Sequence, residues 1–168
     1  MDTERIKVLF VCIHNSARSQ MAEAFLKEIA GDIFEVSSAG IEAGKLNPLA
    51  VTAVSNIGID ISVNKSKSVL EFFKAGLSFD YVITVCDEAG GERCPIFPGV
   101  CKRLHWAIPD PSAATGTYNE RLRRTRQVRD EIEKRVIGFL EDLVARRDNP
   151  DIDEDRMQAR HLSANRGR

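Results

Sequence analysis

The feature that most limits how this chain can fold is its opening. A short, apolar, partly β-branched run from Lys7 to Cys12 is followed by a polar loop, and then by Arg18 to Ala30 with Met21, Ala22, Phe25, Leu26 and Ile29 at helical spacing. A brief continuous apolar run reads as a strand buried on both faces, and apolar residues at i, i+3, i+4 and i+7 read as a helix lying on it. Gly31 is expected to end that helix. The alternation then repeats. Phe34 to Ser38 forms a second predicted strand, and Asn47 with Pro48 makes a cap and first-turn pair for a helix carrying Leu49, Val51, Ala53, Val54 and Ile57, closed by Gly58. Tyr81 to Val85 and Arg103 to Trp106 supply two more strands. A last helix is predicted from about Asn119 to Arg146, with Val128, Ile132, Val136, Phe139, Leu140 and Leu143 on one stripe. Strands alternating with helices predict an α/β fold of three layers, α/β/α, around a four-stranded parallel sheet with right-handed crossovers. Ligands of such sheets bind beyond the carboxyl ends of the strands. Cys12, Cys86 and Asp110 each follow a predicted strand and are therefore expected on one edge.

At 168 residues the chain can bury a full core as one domain without metals or structural disulfides. Residues 1–146 are read as that domain, and residues 147–168, highly charged and poor in apolar side chains, as a mobile tail. The 24 basic and 25 acidic residues nearly cancel, so no overall field points to nucleic acid or an anionic membrane, and neither is expected as a partner. An anionic substrate needs a local site instead. No apolar stretch is long enough to span a bilayer, and the start (Met1, Asp2, Thr3, Glu4, Arg5) lacks the basic-then-apolar layout of a secretory signal, so a cytoplasmic location is expected. In that compartment four cysteines suit catalysis, redox exchange or metal binding better than a permanent disulfide framework.

The loop Cys12-Ile13-His14-Asn15-Ser16-Ala17-Arg18-Ser19 lies between a strand and a helix, where successive backbone N–H groups converge on one concavity. The helix macrodipole and the Arg18 guanidinium would favour a thiolate at Cys12, as positive surroundings do for cysteines generally. Arg18 can also grip two oxygens of a tetrahedral oxyanion in a fork that lysine does not offer, and Ser19 is placed to donate a hydrogen bond to the sulfur. The plainer alternative is a buried strand-end cysteine and a solvated first-turn arginine. Context favours chemistry: these residues, with Gln20-Met21-Ala22-Glu23, resemble the phosphate-binding loop of the low-molecular-weight protein tyrosine phosphatases and of the arsenate reductases that share their fold. The resemblance implies that fold, with the phosphate-binding loop after strand 1 and residues 13–19 around the anion.

Two further cysteines bear on the reaction. A phosphatase needs a cysteine, an arginine and a general acid, whereas a reductase must supply two electrons. Arsenate held on one cysteine is reduced if a second thiolate attacks that cysteine's sulfur and expels arsenite, and a third thiol can then release it by exchange. Cys86 and Cys94 lie in Val85-Cys86-Asp87-Glu88-Ala89-Gly90-Gly91-Glu92-Arg93-Cys94-Pro95, a glycine-containing charged segment suited to movement. With Lys102-Arg103-Leu104-His105-Trp106 and Asp110-Pro111, this stretch is similar to the thioredoxin-coupled arsenate reductases, and the similarity reaches almost to the last helix. It implies Cys12 as nucleophile, Cys86 as second thiol, Cys94 as third, Arg18 holding the oxyanion and Asp110 protonating a departing oxygen. It also implies arsenate as substrate, with phosphate or sulfate as analogues, no bound cofactor, and reduced thioredoxin as electron donor.

Other readings remain at this point. A zinc site would need His105 and Cys101 beside the pair, Cys101 is otherwise a spectator, and His105 and Trp106 read as packing residues. A tyrosine phosphatase would usually carry tyrosines after the Asp-Pro, where this chain has Ser112-Ala113-Ala114, and a reductase using a small thiol would not need Cys94. An arsenite-binding regulator would leave Arg18 and Asp110 without a purpose. His14 stands where glycine is common and is expected either to crowd the loop or to add a donor. Some members of the family hold potassium behind the loop. Asn15, Glu23 and Ser38 match residues of that site, but its aspartate falls on Lys67, whose ammonium is expected to replace the ion.

Overall fold

The computed structural model describes residues 4–87 and 94–148. Strands β1 (Ile6–Cys12), β2 (Phe34–Gly40), β3 (Tyr81–Val85) and β4 (Lys102–Trp106) form one sheet in the order β2-β1-β3-β4, every neighbouring pair parallel. Helices α1 (Arg18–Ala30), α2 (Pro48–Ser55), α3 (Val69–Lys74) and α4 (Tyr118–Asp148), with a single 3-10 turn at Pro111–Ala113, complete the described elements.

Alternation along β1 divides the interior into two cores. Val8 and Phe10 face a large cluster built from Met21, Phe25 and Leu26 of α1 and Val128, Ile132, Val136 and Phe139 of α4, while Leu9 and Val11 face a smaller one with Val69, Phe79, Val82, Cys94 and Phe97. Each fully buried aliphatic or aromatic side chain contributes about 1.5–3 kcal/mol, so the α4 stripe alone fixes that helix against the sheet. Trp106 is wholly buried, its ring 5.6 Å from Phe10 and 6.4 Å from Phe139, in the packing role expected of it. The parallel three-layer arrangement expected from the sequence is the observed one.

The boundaries differ in ways the local chemistry explains. The second strand runs on to Gly40 because residues 39 and 40 still pair in register with Val11 and Cys12. The second helix stops at Ser55 rather than Ile57: Gly58, at φ 86°, donates to Ser55 O while Ile59 donates to Val54 O, a left-handed closing turn that a glycine accepts without strain. Helix α3 was not expected. It is only six residues long, too short to show periodicity, and is started by the Ser68 side chain accepting from the Leu70 N–H. The last helix includes Arg147 and Asp148, and the rest of the expected tail, 149–168, lies outside the described residues. Among the described residues no helix is long and apolar enough to cross a membrane.

Candidate active site

In the order β2-β1-β3-β4 the chain reverses direction across the sheet between β1 and β3, and the crevice beyond the carboxyl ends of those two strands is where an open α/β sheet receives ligands. Cys12 ends β1 there, 2% exposed. The loop behind it is held by its carbonyls. Cys12 O accepts from the Ile41 N–H (3.0 Å), Ile13 O from Glu42 (2.8 Å), His14 O from Gly44 (2.9 Å) and Ser16 O from Asn47 (2.8 Å). Asn15 O accepts from the Ser66 hydroxyl (2.9 Å). In a trans peptide the next residue's N–H points away from the carbonyl, so fixing these carbonyls on outside partners turns the N–H groups of residues 13–17 back toward the concave side. One of them, from Asn15, meets the Cys12 sulfur at 3.1 Å. Ala17 gives α1 no side-chain cap and its first turn has no acidic residue, which leaves the helix N-terminus available to an anion.

Asn15 is the central support. It holds φ 52°, a left-handed conformation asparagine tolerates better than most residues, and its carboxamide is fully buried. Its Oδ1 accepts from the Lys67 backbone N–H (2.9 Å) and Gln20 Nε2 (3.0 Å), which orients Nδ2 toward Ser19 Oγ (2.7 Å) and Ser38 Oγ (3.0 Å). Because Ser19 accepts there, its own proton is free to point at Cys12 Sγ, 2.9 Å away. The Ser38 hydroxyl in turn donates to Glu23 Oε2 at 2.6 Å. Gly40 lets all this pack: a Cβ there would come within 2.7 Å of both Asn15 N and His14 C, and 2.9 Å of Ile13 O, all backbone. Nothing in a single sequence distinguishes that glycine from an ordinary strand end.

Arg18, 3% exposed, extends to the mouth of the crevice, where Nη1 donates to Ile108 O (3.1 Å) and stands 3.4 Å from Asp87 Oδ1, and Nη2 stands 3.8 Å from Asp110 Oδ2. Asp110 starts the 3-10 turn, its Oδ1 accepting from the Ser112 N–H at 2.9 Å, so its other oxygen is the one facing Arg18. Asp87 was not singled out from the sequence. Cys86 is buried directly after β3 and extends the ladder by donating to Trp106 O at 3.1 Å. The structure thus brings together Cys12, residues 13–19, Arg18, Asp87 and Asp110. It holds Cys94 in the smaller apolar cluster among Phe79, Val82 and Phe97. There burial pushes the Cys94 thiol up, opposed by the Arg103 guanidinium. Residues 88–93 between the two cysteines lie outside the described residues.

Several side expectations change. His14 pairs through its ring Nδ1 with Glu42 O at 3.0 Å. His105 pairs with Thr84 Oγ1 at 2.6 Å, and burial beside Arg135 pushes its pKa down. The lysine that meets Glu23 is Lys27, at 2.9 Å and one helical turn along α1, not Lys67, whose ammonium turns to Lys65 O. A potassium ion fits poorly here: Glu23 already has its counter-charge, and the Asn15 Oδ1 oxygen is spent on two donors.

An uncapped helix start and loop N–H groups turned to one side of a hydrogen-bonded thiol are surroundings that suit a tetrahedral oxyanion. The chain belongs to the low molecular weight phosphotyrosine protein phosphatase family, whose model matches residues 7–149. Within it, an arsenate reductase of Shouchella clausii (strain KSM-K16) is 44% identical over 135 residues, 80% of this chain and 94% of the relative. Among solved structures, an arsenate reductase in a phosphate-binding state superposes with a TM-score of 0.65 at 31% identity, covering 84% of this chain and 98% of that one. The thioredoxin-dependent arsenate reductase of Corynebacterium glutamicum does so with a TM-score of 0.62 at 28% identity, covering 86% of this chain and 65% of that one.

Proposed function

We propose that this protein is an arsenate reductase in which Cys12 takes up the oxyanion and a thiol relay through Cys86 and Cys94 supplies the electrons. The observation that carries the reading is a buried Cys12, hydrogen-bonded at the end of β1, with a second buried cysteine directly after the neighbouring strand β3. Arsenate enters the cradle with its oxygens on the loop N–H groups and Arg18. Cys12 attacks arsenic, and Asp110 protonates the departing oxygen, which leaves as water. The Cys86 thiolate then attacks Cys12 Sγ. A disulfide forms, the sulfur–arsenic bond breaks, and its electron pair leaves with arsenic, which departs as arsenite. Cys94 next attacks Cys86 and releases Cys12.

The sheet register sets what the first exchange requires. Val11 stands opposite Thr84, so Cys86 comes one residue beyond the point opposite Cys12. On ideal strand spacing the two Cα atoms are then roughly 6 Å apart, inside the span a disulfide tolerates, but strand alternation puts Cys12 on the Phe10 face and Cys86 on the Val82 face, so the exchange requires the backbone after β3 to turn. The reading also draws on the relatives, which carry the name arsenate reductase, one of them thioredoxin-dependent. We take thioredoxin as the external reductant on that ground. A reductase served by a small thiol such as glutathione is the nearest variant. A tyrosine phosphatase is the other, because the same cradle accepts phosphate, and slow hydrolysis of a phenyl phosphate is expected as a side reaction.

A single-turnover reaction of reduced protein with arsenate and no external reductant tests the proposal. Stoichiometric arsenite and an internal disulfide are expected. Absence of arsenite together with rapid hydrolysis of a phenyl phosphate would make the protein a phosphatase.

A further inference from the structure

Cys101 has no part in the chemistry described so far. It lies immediately before β4 and packs against the same apolar cluster that buries Cys94. Between the two cysteines the chain folds back on itself through Pro95, Pro98 and Gly99, the last at φ 85°, so a short loop begins and ends against one patch of core. Arg103 spans both ends: its Nη2 donates to Cys94 O at 3.4 Å, and its charge acts on both thiols, opposing the burial that raises them. A thiolate at either sulfur has the same guanidinium at hand. The cysteines also differ in access. Cys12, Cys86 and Cys94 are buried, and Cys101 alone of the four is partly exposed. Ile96 and Val100, on the loop that joins the pair, are 79% and 93% exposed.

We propose that Cys101 is a fourth thiol of the relay, exchanging with the Cys86–Cys94 disulfide to give a Cys94–Cys101 disulfide that is the form offered to a dithiol reductant. The inference rests on the relay reading above. In the exchange the Cys101 thiolate attacks Cys94 Sγ, the Cys86–Cys94 bond breaks, and Cys86 leaves as a thiolate that takes the proton Cys101 gave up. One disulfide replaces another, and no further oxidant or reductant is consumed. By this step Cys101, partly exposed in the reduced protein, replaces the buried Cys86 as the partner of Cys94, with Ile96 and Val100 available for an apolar collar on the reductant to cover.

Two measurements test this separately from the relay. In a Cys12→Ser/Cys86→Ser protein the only thiols left are Cys94 and Cys101. Diamide oxidation is expected to remove both from a thiol titration without cross-linking chains, and free thiols or purely intermolecular cross-links would overturn the proposal. In the wild-type protein, peptide mass mapping after a single arsenate turnover is expected to show a Cys94–Cys101 pair, replaced by Cys86–Cys94 in Cys101→Ser. Finding only Cys86–Cys94 in wild type would overturn the fourth-thiol role and leave the relay intact. Finding no internal disulfide would overturn both, and the diamide experiment would still report whether the pair can close.

Discussion

Cys12 and Cys94 are both buried, yet the surroundings of the two sulfurs are opposite in kind. Cys12 Sγ meets a hydroxyl at 2.9 Å and a backbone N–H at 3.1 Å, and those groups are fixed by a further layer through Asn15, Ser38 and Glu23. Among the described residues Cys94 Sγ has a long 3.7 Å contact with its neighbour's carbonyl and lies among Phe79, Val82 and Phe97. Negative charge at the first sulfur finds its hydrogen bonds already made, which is how preorganised sites stabilise charge. At the second it finds apolar carbon and one guanidinium. The difference separates a thiol held by fixed polar partners from a thiol held among apolar side chains.

Removing each sulfur gives the largest contrast. Cys12→Ser is expected to reduce arsenate consumption to background even in the first turnover, whereas Cys94→Ser should complete that turnover and then stall; quench-flow measurement of arsenite separates the two, and equal loss in both proteins would erase the distinction. Asp110→Asn comes next. It keeps the bond to the Ser112 N–H but cannot donate a proton in the same way, and a drop of about 10²–10⁴ in the rate of the first chemical step is expected, the range typical of general acids. An unchanged rate would remove Asp110 from the reaction.

The polar support should be fragile in a measurable way. Asn15→Ala leaves buried partners unpaired at about 1–3 kcal/mol for each. Both the melting temperature and kcat/KM should fall, and Gly40→Ala should act in the same direction by forcing backbone apart, at about 1–3 kcal/mol. Either variant retaining full activity and stability would show that the loop tolerates displacement.

A smaller effect is expected from pH at the apolar site. Burial raises the Cys94 pKa in the folded protein, so folding favours the neutral thiol. That contribution to stability is fully present below the unfolded cysteine value and is lost as pH rises through the higher folded one. Alkylation of Cys94 in the folded, reduced protein should accordingly lag behind that of the unfolded chain near pH 8 and catch up at more alkaline pH; equal rates at pH 8 would place the thiol in water. The smallest effect concerns the ion pair of Glu23 with Lys27. With that carboxylate already matched, replacing sodium by potassium is expected to leave turnover unchanged, and a strong rate increase would contradict it.

The two regions also differ in how much of them the sequence discloses. The sheet and the large core follow from short apolar runs and the α4 stripe, because burial on a periodic surface leaves a periodic trace. The loop Cys12 to Ser19 is contiguous, so its residues can be singled out together. Its supports are not: Ser38, Ser66, the Lys67 backbone and Gly40 reach it from distant parts of the chain, and only the fold shows that they converge. Lys67 was expected to supply the ammonium behind the loop, and Lys27 does so instead, because a helical turn sets Lys27 beside Glu23 while the side chain of Lys67 points to Lys65 O. The neighbourhood of Cys94 and Cys101 is written in no local pattern at all; two prolines and a left-handed glycine produce it by reversing the chain.

The most direct test of the account is arsenate-dependent NADPH oxidation with thioredoxin and thioredoxin reductase, run on the wild type beside Cys12→Ser, Cys86→Ser and Cys94→Ser. Sustained turnover by the wild type and by none of the three variants is the predicted result. A Cys94→Ser protein that keeps turning over would mean that the reductant reaches Cys12 or Cys86 directly, and a wild type that consumes no NADPH while hydrolysing a phenyl phosphate rapidly would contradict the reductase assignment.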